Sequence, residues 1–206
     1  MSIANYTELK EAVEATWSHR SDLTSLSADF IRLGESYLNR RLRVREMEES
    51  ATITPSTSVD YVALPTGYME LVSFTDDLGE DLTEVGADEL QALRYAAPSV
   101  RPECYRITSR IDFECVADQA YSYTMHYFKR LDISTDDTNA VLIAHPDLYL
   151  YASLVQFEAF IQNDARIQIW KAFLEEALAD ANNQSRKSKR TLRTELAHVG
   201  PDIIRG

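Results

Sequence analysis

The stretch YSYTMHYFKRLDISTDDTNAVLIAHPDLYLYASLVQFEAFIQ, residues 121–162, contains the change of period that decides the fold. Tyr121, Tyr123, Met125 and Tyr127 alternate with Ser122, Thr124, His126 and Phe128. That two-residue period predicts a strand over Tyr121–Leu131 with one face packed on a core. Asp132–Asn139 is polar and reads as a loop. In Ala144-His145-Pro146-Asp147, proline suits a first helical position and the aspartate suits the positive end of the helix dipole. From Asp147 to Gln162 the apolar residues run almost all round, which predicts a helix surrounded by protein.

Upstream of this switch the chain reads as helices followed by strands. Asn5 with Glu8 three residues on forms a capping box, and Tyr6, Leu9, Val13 and Trp17 follow at helical spacing. Ser21-Asp22 breaks that helix. A second helix is expected from Ser25 to Met47, with Leu26, Phe30, Leu33 and Tyr37 on its apolar side and Arg32, Ser36, Asn39 and Arg43 opposite. Short strands follow at Ala51–Thr54, Tyr61–Leu64 and Leu71–Thr75, with turn chemistry at Leu64-Pro65-Thr66-Gly67. A short helix is predicted at Ala87–Tyr95. A hairpin joins Glu103–Thr108 to Ile111–Val116 through Ser109-Arg110, placing residue 108 opposite 111 and Cys104 opposite Cys115.

Downstream, Asn163-Asp164 makes a tight link to a last helix, Ala165–Asn182, with Ile167, Trp170, Leu174, Ala177 and Leu178 on one face. The expected fold is mainly α with a β insertion (α+β). Its parts are an N-terminal helix pair (1–49), a β-rich insertion (50–131), a C-terminal helix pair (132–182) and an extended tail (183–206) that is disordered when free. The two helix pairs pack as a four-helix bundle, and the insertion projects from one end of it.

The 206 residues include 45% hydrophobic and 26% charged residues, with only 6 Gly and 6 Pro, which excludes collagen-like and low-complexity character. The net charge of -12 is unevenly spread. Residues 185–206 carry six basic and two acidic groups, a charge of +4; residues 1–184 hold fifteen basic and thirty-one acidic groups, a charge of −16. An acidic body repels phosphate, which argues against general nucleic-acid binding. Residues 1–17 have neither the basic n-region nor the apolar h-region of a secretory signal. The longest apolar stretch, Leu148–Ile161, is interrupted by Ser153, Gln156 and Glu158, so no membrane span is expected. Two cysteines make no disulfide framework, and synthesis in a reducing cytoplasm follows.

Catalytic and metal chemistry finds little support. The four histidines, His19, His126, His145 and His198, have no convergent spacing, so no metal or cofactor is expected. His145 reads as a helix-start residue rather than a catalytic base. Nucleotide-cradling glycine loops and nucleophile elbows do not occur. Asp76–Glu89 holds seven acidic residues and no basic one, and Asp136-Asp137 adds two more. Paired acids of this kind read as a solvated face rather than as a glycosidase pair or a calcium loop. Cys104 and Cys115 read as free thiols, and the tyrosine-rich strand as a core face rather than a base-stacking platform.

Two features point to partners. For Arg40, Arg41, Arg43 and Arg45 two readings stand side by side: a solvated helix end, and an inter-subunit contact with another acidic copy. The tail combines Arg186, Lys187, Lys189, Arg190 and Arg193 with Leu192, Leu196, Val199, Ile203 and Ile204. A purely solvating tail has no use for those aliphatic residues, so they read as anchors for a partner.

Several stretches together resemble the head-to-tail adaptor (connector) proteins of tailed bacteriophages, including the tail accessory factors of short-tailed phages. They are Tyr6-Thr-Glu-Leu9 with Trp17, Arg20-Ser-Asp-Leu23, Asp29-Phe-Ile with Leu38-Asn-Arg-Arg-Leu-Arg-Val-Arg-Glu-Met47, Leu64-Pro-Thr-Gly-Tyr68, and His145-Pro-Asp-Leu-Tyr-Leu-Tyr-Ala152. The resemblance spans residues 3–182. It implies a non-enzymatic virion protein at the head–tail junction, made in the bacterial host cytoplasm. Such proteins form a ring, twelve-membered in the family, beneath the portal protein. Tail or nozzle proteins lie below, a β-rich insertion faces the tail, and double-stranded DNA passes through without specific binding. C-terminal extensions of such adaptors clamp the portal, and residues 183–206 match that extension in placement and character. The alternatives are a virion-associated peptidoglycan hydrolase, which needs a carboxylate pair in a cleft, and another tail-completion protein.

Overall fold

The computed structural model describes residues 3–17, 21–96 and 98–198. The architecture is α+β, with helices and two small sheets segregated along the chain. Two compact units result: one formed by Met1–Met47 with Leu131–Gly206, the other by Glu48–Arg130.

The helical unit begins with α1 (Tyr6–Glu11), whose N-terminus is capped as expected. The Asn5 side chain accepts from the Glu8 N–H at 2.9 Å, and the Glu8 carboxylate accepts from the Ala4 N–H at 2.8 Å. The chain continues as a π-helical turn, Ala12–Trp17, and a 3-10 segment, Ser21–Leu26. Then comes α2 (Ser27–Arg41), which stops well before the expected Met47. Leu42 is already extended, and Leu42 and Val44 are buried as non-helical chain.

The buried face of α2 also differs from expectation. It runs through Ser27, Phe30, Ile31, Gly34, Glu35, Leu38 and Asn39, while Leu33 is exposed. Glu35 and Asn39 are buried because they pair with backbone where the chain re-enters this unit. Asn39 donates to the Leu131 carbonyl at 3.1 Å and accepts from its N–H at 2.9 Å. The Glu35 carboxylate accepts from the Ile133 N–H at 2.8 Å and from the Tyr149 hydroxyl at 3.0 Å. Paired in this way, polar side chains enter a core at little cost.

The expected loop at 132–139 contains a short α4 (Ile133–Asp136), followed by α5 (Ala140–Ala144) and α6 (Pro146–Phe160). Helix α6 buries residues on nearly every side and is packed by α2, by the π-helical turn and by α7 (Asp164–His198). Gly34 permits the α2–α6 approach: a Cβ there would lie 2.9 Å from the backbone of Ala152 and Ser153. Phe30 meets Phe157 edge-on at 5.4 Å. Across the tight turn into α7, where Gln162 has φ 58°, Arg166 reaches back to the buried Glu158 at 2.9 Å and donates to the Trp17 carbonyl at 3.1 Å.

The sheet unit holds a three-stranded antiparallel sheet in the order β1 (Glu48–Ile53), β7 (Tyr123–Lys129), β3 (Tyr68–Thr75). A second sheet has the order β2 (Tyr61–Ala63), β6 (Arg110–Phe113), β5 (Cys104–Ile107), β4 (Thr83–Glu84), with only β4–β5 parallel. The two-residue β4 has no period and was not expected. Ile53, Phe74, Tyr105, Ile111, Phe113, Tyr123, Met125 and Tyr127 form one core cluster, so the alternation predicted for β7 describes its buried face. Helix α3 (Ala87–Ala96) contributes Arg94, which donates to the Phe113 carbonyl at 2.9 Å and pairs with Asp60 at 2.9 Å.

The β5–β6 hairpin is slipped by one residue from the expected register. Ile107 pairs with Ile111 and Tyr105 with Phe113, leaving Thr108, Ser109 and Arg110 at the turn. Ser-Arg is a poor two-residue turn, and the longer loop avoids it. Because a one-residue slip moves every side chain to the other face, Cys104 and Cys115 are not opposite each other; both are free thiols.

Candidate partner-binding surface

Helix α7 extends well beyond the expected end at Asn182. It runs through His198, so residues 183–198 are helical rather than extended. The reason lies in composition: Gln, Arg, Lys, Leu, Glu and Ala are good helix formers despite their charge. Trp170, Leu174, Leu178, Ala181 and Ser185 are buried along α7, whereas Ile167 is half-buried. Arg186 and Lys187, next in the chain, are exposed. Lys189, Arg190, Leu192, Arg193 and Leu196 belong to the same helical backbone. Val199, Ile203 and Ile204 lie outside the described residues, as do His19 and Arg20.

The arginine run leaving α2 lies alongside α7. Arg41 meets Glu175 at 2.6 Å and stacks 4.7 Å from the Tyr37 ring, whose hydroxyl donates to the same carboxylate at 2.6 Å. The Tyr37 hydrogen bond and the Arg41 cation hold the Glu175 carboxyl below its ordinary range. Arg43 donates from its guanidinium to the carbonyls of Asn39 and Leu42, at 3.0 and 2.6 Å. Arg45 pairs with Glu46 at 2.8 Å. Arg40 is exposed, 6.0 Å from the Tyr37 ring.

The backbone of this run is held from α7 as well. The Asn182 side chain accepts from the Arg43 N–H at 2.9 Å and donates to the Arg41 carbonyl at 3.3 Å. The Ser185 hydroxyl accepts from the Arg45 N–H at 3.2 Å. Tyr37, Glu175, Asn182 and Ser185 therefore anchor the base of the C-terminal segment. Sequence reading missed these roles because each partner lies more than a hundred residues away.

The other candidates are scattered. His145 caps α6 without a side-chain hydrogen bond and lines a cavity of about 10 Å³ with Arg45, Glu46, Ala181, Gln184 and Ser185. That is room for one water. His126 is exposed on β7. Asp76, Glu80, Asp81 and Glu103 line a groove of about 300 Å³ with Arg101, which binds Asp76 at 2.7 Å and also contacts Asp77. Burial pushes the Asp76 carboxyl up, but the Glu80 and Leu78 N–H groups and the Arg101 cation outweigh it and hold it low. Burial and nearby carboxylates push the Cys104 thiol up, away from nucleophilic character. Among the described residues no cluster of three or more His, Cys, Asp or Glu side chains suits a metal ion, and no helix is long and apolar enough to cross a membrane.

These contacts describe an α+β chain whose class comes from comparison with known families. The family comparison defines that class: the SU10 adaptor protein family matches residues 4–195, and the chain belongs to this family of phage head-to-tail adaptors. A search of curated proteins gives no match. The family places the chain among virion components that interact with portal and tail proteins, and it suggests a structural rather than an enzymatic role.

Proposed function

We propose that this protein forms a ring beneath the portal, with twelve copies by analogy with adaptors of this type. In that position it joins capsid to tail at the head–tail junction and continues the DNA channel. The helical unit acts as a four-helix bundle formed by the N- and C-terminal helix pairs, and the β-rich insertion faces the tail proteins. Residues 184–206 grip the portal, and Arg40, Arg41, Arg43 and Arg45 lie where neighbouring copies meet. The reading rests on the family match and is carried by one observation, the separation of a −16 body from a +4 C-terminal segment.

A channel lined by acidic residues lets DNA slide, because few cations are available to displace its counterions. Like-charged copies stay apart in solution until a template gathers them, and the basic segment supplies the attraction. Analytical ultracentrifugation of the purified protein, with and without portal rings, tests this. Monomers alone and rings on the portal are expected; stable closed rings without the portal would refute templated assembly. Removing residues 186–206, which leaves the buried Ser185 in place, is expected to abolish portal binding with the helical circular dichroism of the body retained, and unchanged binding would remove the segment from the reading.

A further inference from the structure

We infer that the C-terminal segment engages the portal as a continuation of α7, laying one apolar line into a groove that has carboxylates along one wall only. This rests on the portal-gripping role proposed above and specifies its geometry.

The observation is one of phase. A helix turns about 100° per residue. Taking Ser185 as the origin, the buried Leu174, Leu178 and Ala181 all fall within about 40° of it. Leu192 and Leu196 fall within about 20° of the same line, on a backbone that is helical through His198. One line therefore begins as the buried stripe of α7 and continues through Leu192 and Leu196.

The cations are not spread evenly about this line. Lys189, Arg193, Arg186 and Arg190 fall at about 40°, 80°, 100° and 140° to one side, and Lys187 falls about 160° to the other, nearly opposite the line. Ser188, Glu195, Gln184 and Thr191 occupy about 60–120° on the other. A helix with this pattern suits a groove with an apolar floor, one acidic wall and one neutral wall. An extended chain does not suit it: at a period of two, Arg186 and Arg190 share a face with Leu192 and Leu196 while Lys189 and Arg193 lie on the other, so no apolar line stays clear of charge. A segment already helical at its base also loses less conformational freedom on docking than one that starts disordered.

The test is a glutamate scan of residues 188–198 in the full-length protein, read as binding to purified portal rings, with circular dichroism checking that the body stays folded. Losses are expected to recur every 3.6 residues, at least about ten-fold at Leu192 and Leu196 and below about three-fold at Thr191 and Thr194. Arg190→Gln with Arg193→Gln is expected to weaken binding and flatten its salt dependence. A two-residue period or uniform losses would overturn the helical mode while leaving the portal grip intact. Full binding after removal of residues 186–206 would instead overturn the grip itself. Self-association through the segment in the absence of portal would assign the groove to a second copy and overturn the partner named here.

Discussion

In the helical unit the described buried residues include Ser27, Glu35, Asn39, Ser153, Glu158 and Ser185; in the sheet unit the buried polar residues are Asp112 and Glu114, each 9% exposed. The sheet core proper is aromatic and aliphatic, with Phe74 edge-on to Tyr105 at 4.9 Å. The contrast follows from where backbone groups find partners. Strands satisfy one another in a ladder, so their core can stay apolar. The helical unit contains irregular chain at 42–44 and 131–132, between helix ends, which no ladder serves. Asn39, Glu35, Asn182 and Ser185 supply the missing partners.

Substitutions in the two units should therefore differ in kind. Phe74→Ala is expected to have the largest effect, about 3–5 kcal/mol by urea denaturation, because it empties the centre of the aromatic cluster. Asn39→Leu should cost about 2–4 kcal/mol despite being more apolar, since it orphans the N–H and carbonyl of Leu131. Hydrogen exchange at the Leu131 amide should accelerate; an unchanged rate would break the contrast. Gly34→Ala gains helix propensity but collides with the backbone of α6, for a net loss of about 1–3 kcal/mol in the same denaturation assay. Tyr123→Phe, which removes a hydroxyl donating to the Pro102 carbonyl at 2.6 Å, should cost only about 1 kcal/mol in thermal unfolding. A cost equal to that of Asn39→Leu would show that the sheet unit depends on buried polar groups as much as the helical one.

The smallest expected effect is on pH. The Glu175 carboxyl is depressed in the folded protein from an ordinary value of 4.5. Its stabilising contribution is present above that value and is lost as pH falls through the lower folded one. The pair is largely exposed, so Glu175→Gln should change a denaturation series between neutral and acid pH by well under about 1 kcal/mol.

The sequence was most legible where structure is local. The Asn5–Glu8 capping box, the alternation of β7 and the all-round apolarity of α6 each depend on neighbours within a turn or a strand, and each is present. Misreadings occurred where distant chain decides. Asn39 sits on the polar face by composition, yet it is buried by a partner ninety-two residues on. The hairpin slipped because a turn, not the strand pattern, sets register. On the candidate surface, residues 183–206 are expected to be extended because no helical stripe is sustained and Gly200-Pro201 lies near the end, yet 183–198 continue α7 on their helix-forming composition.

The contact between Trp17 and Trp170, 5.6 Å apart and edge-on, has a spectroscopic consequence. These are the chain's only two tryptophans, and both belong to the helical unit. Excitation at the red edge of protein absorption therefore lights a single junction, where the π-helical turn meets the base of α7. The sheet unit stays dark at that wavelength and is seen only through its tyrosines. Tyrosine emission mixes the two units, because Tyr6, Tyr37, Tyr149 and Tyr151 belong to the helical one, so the tryptophan signal is the one that reports a single unit on unlabelled protein.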